Sequence, residues 1–287
     1  MQKLTLFLTI FFLISLFYSC EETPPTVNLH PVTIDSTWVD STNLVTQKTT
    51  VVIEEMTGVR CSNCPEGHEK LLNLVTSNAG RVIGVSMHTA KEYYTPHPQS
   101  KDDFRTQEGS AIVENLVGDP GGTPSAYINR VYHSTEYKRG IFLQDWQSVT
   151  DSLLNINAPL NINIIREYNS TTRALLVGVK VHFTKSSTGP FNLSIMITQD
   201  NIIDAQTLTN GKVDTNYVHH YVLRTMMTPF NGITMATSAE RGRWFYKEFR
   251  KTLNSKWDAS NCYIIAMVHY SGAKLEVLNA AEVGVEK

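Results

Sequence analysis

The sequence predicts an α/β domain followed by an all-β domain. Three observations carry this. Residues 49–88 read strand, helix, strand, and a C-x-x-C pair opens the helix. A proline stands at the start of a later strand, at Gly122-Thr123-Pro124-Ser125. After Pro159 helical spacing gives way to short alternating strands.

Thr49 to Glu55 (TTVVIEE) is a β-branched run bounded by Gly58, the pattern of a buried strand. His68, Leu71, Leu72 and Val75 then fall at i, i+3, i+4 and i+7, one face of a helix that Ser77-Asn78-Ala79-Gly80 stops. Arg81 to His88 is a second apolar run, read as a parallel strand. An insertion follows between Thr89 and Gly118. It holds a Tyr93–Pro98 loop, whose aromatic side chains cover the domain core or shape a peptide groove, and a helix near 102–116. Leu143, Trp146, Val149 and Leu153 form the stripe of a closing helix. The second part has candidate strands at 160–168, 174–183, 191–199, 217–225, 242–249, 262–270 and 277–283. Ser187-Thr188-Gly189-Pro190 and Asn210-Gly211 read as turns between them. About seven short strands without helices suggest a sandwich.

Composition narrows the function. The chain has 287 residues, 41% hydrophobic, enough for a sizeable core. Lys+Arg 25 against Asp+Glu 27 gives a net charge of −2, which excludes the basic footprint of a nucleic-acid binder. Four cysteines are too few for a disulfide-built fold of this size.

Lys3 and the apolar stretch from Leu4 to Tyr18 have the form of a secretory signal over residues 1–19. Leu16-Phe17-Tyr18-Ser19-Cys20 resembles a bacterial lipobox, with Cys20 as the lipid-bearing residue. Glu21 and Glu22 resemble a surface-export signal. Residues 20–48, rich in Thr, Pro, Ser and Val, read as a lipidated, extended tether. Asp35-Ser36-Thr37 and Asp40-Ser41-Thr42 within it look like O-glycan acceptor sites or a plain Ser/Thr linker.

The chemistry centres on Cys61-Ser62-Asn63-Cys64-Pro65. A C-x-x-C beside a βαβ pattern reads as a thioredoxin-like redox site. The nucleophile in disulfide exchange is the thiolate. Cys61 falls at the helix N-terminus, where unpaired N–H groups favour negative charge, and Arg60 adds a positive charge beside it. Cys64, one turn on, is the less accessible, resolving thiol. Pro65 suits the first turn. Glu55 takes the place of a buried acid beneath the site, or of an ordinary strand-end glutamate. The Thr123–Pro124 bond is expected to be cis and to face the cysteines. No cofactor is implied. A metal site from Cys61, Cys64, His68 and His88 has ligand-like spacing, but Pro124 would block it. In the β-part, His219-His220 reads as one buried and one surface histidine, Cys262 as a buried free thiol, and Trp244, Phe245, Tyr246 and Phe249 as core and edge aromatics.

The stretch EEMTGVRCSNCPEG (54–67), the downstream Gly122-Thr123-Pro124 and the segment Val218-His219-His220-Tyr221-Val222-Leu223-Arg224 resemble the outer-membrane-protein-twenty-eight-related lipoproteins of Gram-negative bacteria. Met56 replaces the usual aromatic. The resemblance implies a thioredoxin-like domain at 49–157 and an immunoglobulin-like sandwich at 158–287. It also implies an outer-membrane location, on the periplasmic face or the cell surface. The expected activity is thiol–disulfide exchange on envelope proteins or peptides, catalysed through Cys61, Cys64, Pro124, Thr123, Glu55 and Arg60. The competing expectation is a binding or adhesion lipoprotein whose cysteine pair is structural.

Overall fold

The structure, a computed structural model, describes residues 32–42, 44–89, 95–133 and 139–286. In chain order the elements are β1 (Val32–Val39), β2 (Val51–Thr57), α1 (Cys64–Ser77), β3 (Val82–His88), α2 (Gln107–Ile112, continued by a π-helical turn Val113–Val117), β4 (Ser125–Ile128), β5 (Gly140–Phe142) and α3 (Trp146–Leu154). There follow β6 (Leu160–Asn169), β7 (Ala174–Phe183), β8 (Ser187–Gln199), β9 (Ile202–Thr207), β10 (Val213–His219), β11 (Val222–Met226), β12 (Ile233–Ala239), β13 (Arg243–Thr252), β14 (Cys262–Tyr270) and β15 (Val277–Gly284). The protein is mostly β-sheet, and the described residues form three sheets.

The largest sheet has the order β15-β14-β8-β11-β3-β2-β4-β5, with β12 also on β8. β2 and β3 are parallel, and β4 and β5 continue antiparallel. Both strands of the parallel pair are buried throughout, as expected where helices cover both faces. Val51 and Ile53 pack with Leu71 and Leu74 of α1 and Trp146 and Val149 of α3. Val52, Met56, Val85 and Met87 face the other way, against Ile112 and Val113. That second core runs on into Met196, Met226, Ile265 and Met267. One sheet therefore crosses the 157/158 boundary expected from the sequence, through the parallel pairing of β11 with β3. The antiparallel sheet β1-β13-β7-β6 covers β8 and β14 across a separate core that includes Phe183, Phe191, Phe245 and Ile264.

Four local expectations change. Part of the 20–48 tether is strand β1, paired along β13. The cause is side-chain stacking: Trp38 lies parallel to Trp244, ring centroids 5.8 Å apart, and Trp244 lies on His182 at 3.9 Å. The helix near 102–116 starts only at Gln107, because Asp103 accepts from the Arg105 N–H and Thr106 caps the helix by accepting from the Gly109 N–H. Ser187-Thr188-Gly189-Pro190 is not a turn but the β12-paired end of β8, where register shifts absorb the proline. The strand expected at 217–225 breaks after His219 and resumes at Val222, with Tyr221 at φ 57°. The signal segment, Cys20 and the Glu21-Glu22 pair lie outside the described residues, as do Tyr93 and Tyr94.

Strand alternation sends Glu54 and Glu55 to opposite faces. Glu54 takes two bonds from Arg130, at 2.6 and 2.7 Å, with both side chains wholly buried. A buried charge left without its partner costs about 3–5 kcal/mol. Arg130→Met should therefore destabilise the fold by about that much in denaturant unfolding, and Glu54→Leu/Arg130→Met by clearly less. Equal losses in the two variants would show that the pair itself is not what Arg130 contributes.

Candidate functional site

The C-terminal ends of parallel strands β2 and β3, with the first turn of α1, form the candidate site. Strand ends of this kind are where open α/β sheets gather ligands and reactive groups. Cys61 and Cys64 are joined as a disulfide, Cα atoms 5.4 Å apart. Cys61 is partly exposed and Cys64 is wholly buried. Pro65 occupies the first turn, and the Asn63 side chain makes no capping bond there. The N–H groups of that turn thus favour negative charge at the cysteines.

The Thr123–Pro124 peptide is cis. Thr123 Oγ1 lies 3.5 Å from Cys61 Sγ. Pro124 packs on α1 at Gly67, where a Cβ would stand 2.7 Å from Pro124 Cβ and 2.8 Å from Glu55 Oε1. Only glycine lets the helix, the proline and the acid meet this closely. Glu55 is wholly buried beneath this turn. Its Oε2 accepts from Ser86 Oγ at 3.0 Å, and its Oε1 has no hydrogen-bond partner. Burial pushes its carboxyl up to about 8. Arg60 is turned away from the sulfurs: its guanidinium donates to the Thr95 and Pro96 carbonyls at 2.9 and 2.7 Å and so holds the loop beside the site.

Sequence reasoning missed the cover over the site. Hairpin β9–β10 belongs to the second half of the chain but docks on the C-x-x-C loop. Thr207 N–H donates to Val59 O at 2.8 Å. The wholly buried Gln206 donates from Nε2 to Cys61 O at 3.0 Å and to Gly58 O at 3.4 Å. His97 Nε2 lies within bonding distance of Val59 O and Thr207 Oγ1. From the other strand, the Tyr217 hydroxyl meets His68 Nδ1 at 2.8 Å, and His68 Nε2 meets Thr57 Oγ1 at 2.7 Å. The Asn210-Gly211 turn and the strand expected from Tyr217 onward were the legible signs of this hairpin.

Behind it lies a histidine cluster. His219 stacks edge-on against Phe104, Tyr217 and His68, and His88 packs on Phe104 and His219. Both ring nitrogens of His88 and Nε2 of His219 lack hydrogen-bond partners. Burial lowers the basicity of all three, His68 to about 3, His219 to about 4 and His88 well below its ordinary value. His68 and His88, considered as metal ligands from the sequence, thus belong to a neutral packed cluster, and both cysteines are engaged in the disulfide. His220 lies outside the cluster, 3.7 Å from Asp200. Cys262 is buried and free, its thiol pushed up to about 12 by burial.

The cluster predicts acid sensitivity. The unfolded chain takes protons on these histidines near pH 6.5, while the folded cluster does not until about pH 4. Stability is full above pH 6.5 and lost as pH falls towards 4. Glu55 acts in the opposite sense: its contribution is full below about 4.5 and lost as pH rises through about 8. Three groups outweigh one below pH 6.5. Thermal unfolding midpoints should drop between pH 6.5 and 4, and the drop should be shallower in His88→Leu. A midpoint that stays level in the parent protein would contradict neutral burial.

Comparison with known proteins fits this architecture. The chain is similar to HBP35 of Porphyromonas gingivalis, with 17% identity, TM-score 0.64 and coverage of 84% of this chain and 76% of that one. A structural-genomics protein of Agrobacterium tumefaciens matches at 14% identity and TM-score 0.51, over 83% and 96%. A domain of the outer membrane lipoprotein Omp28 from Porphyromonas gingivalis aligns at 19% identity over 45% and 88%, with a TM-score of 0.32. No curated protein sequence matches. The profile of the family described as outer membrane protein Omp28 matches residues 117–287, a span that starts after the cysteine pair and includes Pro124, Gln206, Tyr217 and His219. The chain belongs to the Omp28 family of outer membrane proteins, and its location is the outer membrane.

Proposed function

We propose that this outer-membrane protein exchanges disulfides with thiols of envelope proteins or peptides through Cys61 and Cys64. The unit that does so is a thioredoxin-like domain, fused to an immunoglobulin-like sandwich and held to the membrane by lipid on Cys20. One observation carries the reading: a partly exposed Cys61 and a buried Cys64, disulfide-bonded at a helix N-terminus. The order β2, α1, β3, α2, β4, β5, α3, with sheet order β3-β2-β4-β5, supports the domain assignment.

In this reading a substrate thiolate attacks Cys61 Sγ, the accessible sulfur. The sulfur–sulfur bond breaks, and its electron pair leaves on Cys64. Developing thiolates are stabilised by the N–H groups at the head of α1. Thr123 and Pro124 line the approach to Cys61, and Glu55 lies under the same turn as a proton donor. The reverse sequence reduces a substrate disulfide.

Single cysteine variants of the full chain in detergent test this. Cys64→Ser should form a mixed disulfide with glutathione disulfide through Cys61. Cys61→Ser should leave Cys64 shielded and slow by comparison. If neither thiol reacts in the folded protein, the pair is structural and the chain is a binding lipoprotein on the same scaffold.

A further inference from the structure

Glu55 poses a physical problem that the exchange reaction makes acute. It is sealed from solvent, yet a proton it gives up must be replaced in each cycle. The described surroundings offer one polar exit. His68 Nε2 stands 3.8 Å from the unpartnered Glu55 Oε1. The same ring reaches Tyr217 through Nδ1, and its side chain keeps 14% of its surface exposed. Tyr217 itself is only half-buried. Ser86, on the far side of the carboxyl, leads only into the interior.

We propose that His68 and Tyr217 form the proton outlet of Glu55, linking the buried acid to solvent on each turn of the Cys61–Cys64 pair. The proposal rests on the exchange reading above. When a substrate thiolate attacks Cys61, its sulfur is oxidised to the mixed disulfide and Cys64 departs as a thiolate. Cys64 takes a proton from the Glu55 carboxyl. The Glu55 carboxylate takes one from His68 Nε2, while His68 Nδ1 takes one from the Tyr217 hydroxyl and water restores Tyr217. The net transfer is one proton from water to Cys64. His68 ends in the opposite neutral tautomer, and ring rotation or the reverse reaction resets it. Closing the 3.8 Å gap takes a shift of about 1 Å, and catalytic hydrogen bonds commonly tighten in the reacting complex.

The geometry keeps His68 fit for this. Tyr217 and Thr57 hold its two nitrogens, so the ring is fixed with Nε2 3.8 Å from the acid. Burial of the ring comes first, and His219 on β10 and His220 after it are the neighbouring groups that act on it in the same direction. These disfavour a charged imidazole, which suits a concerted passage through the neutral ring. The second half of the chain thereby supplies a working part to a cysteine pair in the first half.

An outlet changes rates and leaves equilibria alone, which separates it from a structural role. The test reduces the disulfide of the full chain in detergent with glutathione, quenches by alkylation, and follows rate against pH. His68→Phe should slow release of Cys64 by on the order of 10²-fold, a typical general acid–base effect. The fraction reduced at equilibrium in a glutathione buffer should not change, and added imidazole should restore speed. His68→Gln, which retains hydrogen bonds to Tyr217 and Thr57 but cannot relay, should be equally slow, and this variant stands in if His68→Phe misfolds. Tyr217→Phe should slow the reaction in the same direction. Parent rates and an unchanged pH profile in both His68 variants would overturn the outlet while leaving exchange intact. So would slow variants whose equilibrium also moves and which imidazole does not rescue. A parent protein inert to glutathione would sink the exchange reading and the outlet with it.

Discussion

The parallel pairing of β3 with β11 organises the molecule. Val222 sits opposite Ser86, and the Ser86 N–H donates to Tyr221 O at 2.8 Å. The junction is tight because Gly84 has no side chain: a Cβ there would lie 2.8 Å from the Tyr221 ring. Tyr221 takes a left-handed backbone, φ 57°, and its N–H donates to Asp200 at 2.7 Å. The chain is thus turned at one defined point between β10 and β11. That turn throws hairpin β9–β10 back over the ends of β2 and β3. Loss of the seam would remove Gln206, Tyr217 and His219 from the cysteine pair together.

The two halves also share a core. The apolar layer under α2 draws residues from β2 and β3 as well as β8, β11 and β14. A core shared in this way leaves no polar linker at which the halves could part, and few interdomain interfaces are so apolar. Strand β1 is held by side-chain contacts as well as by its ladder. Trp38, Trp244 and His182 form a row of stacked rings across three strands, and Lys247 pairs with Asp35 beside them. Residues 32–39 therefore enter the fold as a strand.

Local signals were legible in the sequence and long-range ones were not. The buried run of β2, the helical stripe after Cys64 and the alternation in β7 follow from residue type and period. Pro124 and Glu55 could be placed near the cysteines because the layout that the C-x-x-C motif resembles puts a proline and a buried acid there. The seam could not: Val222 and Ser86 are far apart in the chain, and nothing in either segment encodes the other. Most of strand β10 was hidden for a different reason. Val213, Asp214, Thr215, Asn216 and Tyr217 lie mostly on the surface, so the strand lacks the apolar alternation that reveals its neighbours. The buried Gln206 and His219 look like ordinary polar residues until the hairpin is docked. Arg60 reads as a charge beside Cys61, but its reach to the Thr95 and Pro96 carbonyls depends on an insertion whose path no periodicity reports.

The reduction potential of the Cys61–Cys64 pair tests the central claim most directly. The full chain would be equilibrated in thiol redox buffers and the free thiols trapped by alkylation. Pairs that work in exchange lie between about −120 and −270 mV, and structural disulfides lie below about −300 mV. Accessible Cys61 at the head of α1, above a buried acid, calls for a value within the first range. A pair that stays oxidised below about −300 mV would contradict the account. The site would then be a rigid clasp in an outer-membrane binding protein.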